Sequence, residues 1–142
     1  MEQQDYLQRQ IDRLARSLGI FLCQLLWHIN KGKITEGIEM TDKFLKTKLD
    51  FNIDEFVEIP AAGVITYLQK KSFNSVSFVK FADIILLVAD ELENLQPGNK
   101  KSRNIYEKCM SIYEFLNNTD PNYSLERHFK IAKIKKILQV SP

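Results

Sequence analysis

The side chains able to do chemistry are few in this chain, and their spacing says more than their number. Cys23, His28, Cys109 and His128 are its only cysteines and histidines. No two of them stand at a zinc-ligand spacing. Cys23 and His28 lie five positions apart, which puts them on nearly opposite sides of a helix. No metal and no cofactor is expected. Carboxylates do pair, Asp83 with Asp90 and Glu91 with Glu93. Asp83 and Asp90 stand two turns apart and share a narrow polar strip with Lys80. The strip reads as solvated surface, where carboxylates usually sit. If it faces a groove between helices, Lys80, Asp83 and Asp90 become a polar lining, with Tyr67, Tyr106 and Tyr113 as companions. The sequence has no glycine-rich phosphate loop and no nucleophile elbow, so an enzyme is not expected.

The element carrying that strip is the centre of the chain. Around residues 76–95, Phe78, Val79, Phe81, Ile84, Ile85, Leu86, Val88, Ala89 and Leu92 cover most of the helix circumference. A helix apolar around most of its girth needs neighbours on most sides. It is too short and too charged to cross a bilayer, because Asp83 and Asp90 bracket its uncharged run.

Periodicity extends this to an all-α chain of about six antiparallel helices in one domain spanning 1–142. The helices are expected at about 3–30, 33–49, 54–71 (broken near Pro60), 75–95, 101–117 and 124–140. Leu7, Ile11, Leu14, Leu18, Phe21, Leu25 and Ile29 form one continuous core stripe on the first helix. Gly32 is expected to cap that helix in a left-handed conformation. Pro97-Gly98-Asn99 stops the central one. No segment alternates with period two, so no sheet is expected.

Lysines and arginines number 20 and aspartates and glutamates 18, a balance that gives no case for nucleic-acid binding. Ser17–Asn30 carries no acid, lysine or arginine, but it is shorter than the roughly 20 residues of a membrane span. It also lies behind acidic residues rather than a basic start, so a cytoplasmic location is the expectation, with both cysteines as buried free thiols.

Opposite its core stripe, the first helix shows Arg9, Arg13 and Arg16, then Ile20, Cys23 and Trp27. Either neighbouring helices sandwich this half and make Trp27 core, or Arg9, Arg16, Ile20, Cys23 and Trp27 form a partner or homodimer surface. Trp and Arg are favoured interface anchors. The last helix is also two-faced. Leu125, Phe129 and Ala132 share one side, and Ile131, Ile134 and Leu138 lie almost opposite, with Arg127, Lys130, Lys133, Lys135 and Lys136 between. Those basic residues read as a solvated terminus.

A weak internal echo relates Gly37–Leu45 to Lys108–Leu116, 71 positions on. That is close to twice the roughly 34-residue tetratricopeptide period. The run Tyr106-Glu107-Lys108-Cys109, with Tyr113-Glu114 and Asp120-Pro121-Asn122, looks like the second helix and exit turn of such a repeat, without the first-helix signature. Gln4-Asp5-Tyr6 with Arg9 and Ile11, and Tyr123-Ser124-Leu125-Glu126-Arg127, resemble a family of small bacterial proteins with tetratricopeptide-like helices and no assigned activity. The resemblance implies a bacterial source and an α-helical repeat-like array or bundle, and carries over no catalytic residue. The function expected from all this is a non-enzymatic module binding a protein, a peptide or a second copy of itself. The alternative is a small-molecule-binding or catalytic helical domain with its site between helices.

Overall fold

A computed structural model describes residues 2–120, 122 and 124–139. The described chain is all-helical. Seven α-helices follow one another: α1 (Glu2–Asn30), α2 (Ile34–Leu49), α3 (Ile53–Val57), α4 (Val64–Gln69), α5 (Ser75–Leu95), α6 (Lys100–Thr119) and α7 (Leu125–Gln139). A single 3-10 turn, Ala61–Gly63, leads into α4. The expected count was six; the break at Pro60 divides 54–71 into two separate helices. Pro60 has no N–H for the Phe56 carbonyl, which instead accepts from the Ile59 amide at 3.1 Å. The freed end of α3 is closed from afar, because buried Lys108 of α6 donates to the Val57 carbonyl at 3.1 Å and to the Asn104 side chain.

Local signals set the other boundaries. Asn52, Asn74 and Asn99 each accept from the amide three residues on and start α3, α5 and α6. Gly32 takes the expected left-handed conformation after α1, with φ 76°.

α5 lies at the centre, packed along α6 and against α1; α6 in turn meets α7 and α4, and α1 meets α2. Phe78, Phe81, Ala82, Ile84, Ile85, Val88 and Ala89 are all buried, which accounts for the helix's apolar girth. Phe51, Phe56 and Phe73 each meet Phe81 edge-on, Phe51 stacks on Phe56, and Phe51 enters the core from the turn after α2. Thr41, in the apolar row of α2, is buried with its hydroxyl satisfied by the Gly37 carbonyl at 2.8 Å.

Two expectations about α1 and its cysteines need correcting. The core stripe is not continuous: residues 2–10 are all exposed, Leu7 among them at 52%, and only Leu18, Phe21 and Leu25 are buried. At about 1.5 Å per residue α1 is roughly 44 Å long, and its first turns run past the bundle. Cys109 is buried as expected, whereas Cys23 is exposed. No described helix is long and apolar enough to cross a membrane.

Candidate functional site

The polar strip of α5 does not face solvent. Asp83 and Asp90 retain only 16% and 21% of their side-chain exposure, because α6 and α7 close over them. α6 runs antiparallel to α5 and carries tyrosines at the same seven-residue spacing. Tyr113 donates to Asp83 Oδ1 at 2.7 Å, and Tyr106 donates to Asp90 Oδ1 at 2.6 Å. From α7, Lys130 Nζ reaches Asp83 Oδ1 at 2.8 Å and Glu126 Oε1 at 2.9 Å, while Lys133 Nζ reaches Asp90 Oδ2 at 2.7 Å. Two Tyr–Asp–Lys rungs therefore tie three helices together.

The rungs are electrostatically closed. Burial, reinforced by the facing carboxylates, pushes both phenols far above their ordinary range, so the tyrosines stay neutral donors. Burial works against the charge of Lys130, but hydrogen bonds to Asp83 and Glu126 overcome it and raise its pKa. Cys109, fully buried on the same face of α6, is pushed up by desolvation. A general acid or base works best with its pKa near the working pH. The tyrosines, the lysine and the thiol all move away from neutrality, and each carboxylate already accepts a phenol and an ammonium. The arrangement holds α5, α6 and α7 together.

Beside the ladder lies a groove of about 350 Å³. Leu22 and Leu26 of α1 form one wall, Leu86 and Leu87 of α5 the floor, and Glu126, Lys130 and Lys133 of α7 the opposite lip, with Asp83 and Asp90 between. Its apolar surface continues outward. Leu26 is 39% exposed, and one turn away Cys23 is also exposed. Ile20 and Trp27 follow on the outer face at 56% and 51%. Across the groove Phe129, the helical neighbour of Glu126 and Lys133, is 63% exposed.

Of the residues singled out by sequence, Asp83 and Asp90 come together in the groove. Lys80 stands apart, half-buried and close to Gly19 of α1, outside the groove lining. Tyr67 packs edge-on against Phe51, far in role from the other two tyrosines. Arg9 and Arg16 are exposed on the N-terminal half of α1. Trp27 is not sandwiched. Its ring meets His28 edge-on at 5.0 Å and carries the Lys31 and Lys33 ammonium groups at 5.9 and 5.3 Å. On α7, Ile131 and Ile134 are the buried row, and Leu125 and Phe129 are left uncovered. Tyr123 and Val140 lie outside the described residues.

Sequence reasoning missed the groove leucines and took Lys130 and Lys133 for solvated charges. One signal was available: the seven-residue spacing of Asp83 and Asp90 is repeated by Tyr106 and Tyr113 on a helix that must run antiparallel. Among the described residues no cluster of three histidine, cysteine or acidic side chains could hold a metal ion. Comparison with protein-family models, curated proteins and solved structures returns no match.

Proposed function

We propose that this chain is a non-enzymatic interaction module whose α1–α5–α7 groove receives an amphipathic segment of a partner protein. The observation that carries this reading is the leucine floor, open to one side and continuous with exposed Leu26 and Trp27, with Phe129 on the facing lip. Exposed aromatic and aliphatic side chains grouped around a concavity are the usual anchor points of a protein interface. The α7 lip carries both signs, Glu126 at 77% and Lys133 at 51% exposure, each already paired within the protein. A fitting segment therefore engages the groove chiefly through an apolar row. The closed state of the ladder argues for docking over catalysis.

The same proposal includes a cytoplasmic setting and kinship with the bacterial tetratricopeptide-like proteins. Packing of α1 on α2 and of α5 on α6 supports a repeat-like reading, while the contact of α1 with α5 is that of a bundle.

Photocrosslinking tests the groove. With a photoreactive residue in place of Phe129, one discrete protein adduct is expected in the source cell, and none from the exposed position 107. Leu26→Asp on the opposite lip should abolish that adduct. An adduct indifferent to Leu26→Asp would overturn the assignment.

A further inference from the structure

The other flank of α1 holds a second cavity, of about 360 Å³, with a different lining. Arg13 and Ser17 come from α1, Lys48 from the last turn of α2, and Lys71 and Ser72 from the turn between α4 and α5. Three cations and two hydroxyls converge from three separate elements, and no carboxylate lines the space. In a chain with 18 acidic residues that exclusion is informative. Among the described residues none of Arg13, Lys48 and Lys71 has a carboxylate within 4 Å, although eight other pairs form within that distance. Asp12, the acid nearest to Arg13 in sequence, points its carboxylate at the Gln8 amide, 3.0 Å away.

Two of the groups are also held in place. The Lys71 ammonium lies over the rings of Tyr67 and Phe51, 5.4 and 6.0 Å from their centroids, which orients it without neutralising it. Ser72 adopts a left-handed conformation, φ 68°, that non-glycine residues seldom take. Ser72 lines the cavity beside Lys71.

From this convergence we propose that the cavity between α1, the end of α2 and the α4–α5 turn binds a small phosphorylated anion. Arginine grips tetrahedral oxyanions through paired N–H groups, lysines add charge, and serine hydroxyls donate to the remaining oxygens. The depression is open to solvent and wide enough for a small anion held at its surface. The charges meet around one concavity instead of running along a stripe, which favours a compact ligand over a nucleic-acid backbone. This site is independent of the leucine groove, and either can fail alone.

Calorimetric titration of the full chain with inorganic pyrophosphate tests the proposal. Saturable binding is expected, with Arg13→Gln and Lys48→Gln each weakening it roughly ten-fold, the size of one lost charged hydrogen bond. Lys100→Gln, on an exposed residue of α6, should leave the affinity unchanged. Circular dichroism of each variant separates loss of binding from loss of fold, and Arg13→Lys should recover part of the affinity. Absence of binding at millimolar pyrophosphate overturns the site. Equal weakening by Lys100→Gln does so as well, since it would mean diffuse charge attraction. Tight binding of a twelve-nucleotide single strand without binding of pyrophosphate would assign the surface to nucleic acid and also refute the proposal.

Discussion

α1 is bordered by two cavities of nearly equal volume that are built on opposite principles. On the α5–α7 side the walls are leucines, and the buried charges are matched by partners on other helices. On the α2 side the lining is polar, with cations left without acids. The first arrangement spends its charges on holding the protein together and leaves apolar surface for a visitor. The second leaves its charges free and is held together by something else, the aromatic cluster beneath it. Charge near a cavity therefore says little about ligand chemistry until its partners are counted.

The comparison breaks most sharply at Asp83. Asp83→Ala leaves the Tyr113 hydroxyl without its acceptor and Lys130 with Glu126 alone, and should cost about 2–3 kcal/mol of stability. Chemical denaturation followed by circular dichroism reads this directly. A loss below about 1 kcal/mol would mean that the ladder is decoration on an already stable bundle. Removing only a phenol is milder. Tyr113→Phe keeps the ion pair and should cost about 1–2 kcal/mol, with Tyr106→Phe close behind because its rung is more exposed to solvent.

Alkaline titration sharpens the same contrast. In the unfolded chain the thiol and the two phenols release their protons near the ordinary 9.0 and 10.0, whereas the folded chain holds Cys109, Tyr106 and Tyr113 protonated to higher pH. Lys130, raised above 10.5, acts in the same direction. Their stabilisation is complete below about pH 9 and is lost progressively as pH rises above it. Lys108, whose pKa burial depresses, acts in the opposite sense but stands alone. The denaturation midpoint should fall through this window, and more gently in Tyr113→Phe. A flat profile would contradict the buried ladder.

The α2 flank and the outer face of α1 should show the smallest effects on folding. Arg13→Gln and Lys48→Gln, at exposed positions without carboxylate partners, are expected to change stability by less than about 0.5 kcal/mol. Trp27→Ala should likewise keep helical content. If Ile20, Cys23 and Trp27 join two copies, the same substitution shifts the mass measured by sedimentation toward the monomer, and an unchanged mass removes the homodimer as an occupant of that face.

Much of the fold was legible because helices announce themselves locally. The apolar girth of α5, the cap after α1 and the break at Pro60 all depend on residues within one or two turns of each other. The candidate site was not legible in that way. Asp83 looked solvent-facing because, on its own helix, nothing distinguishes a carboxylate facing water from one facing a tyrosine 30 positions away. Trp27 posed the converse problem. An aromatic on the second face of a helix is core if another helix arrives there, and the arrival of α2 to one side and α5 to the other left that face bare. The basic cavity lay further out of reach, since its three cations come from positions 13, 48 and 71 and meet only through tertiary packing.

The two rungs of the ladder also differ in pitch from the helix that completes them. Asp83 and Asp90 are seven residues apart, about 10.5 Å along α5, and Tyr106 and Tyr113 match that interval. Lys130 and Lys133 are only three residues apart, about 4.5 Å along α7, so their flexible arms must splay to reach both carboxylates. Helices α5 and α6 thus share a ruler, and each phenol meets its carboxylate at the same interval. α7 keeps a shorter interval and holds both rungs through the reach of two lysine arms: α5 and α6 are matched by their spacing, and α7 is clasped to them by the length of its side chains.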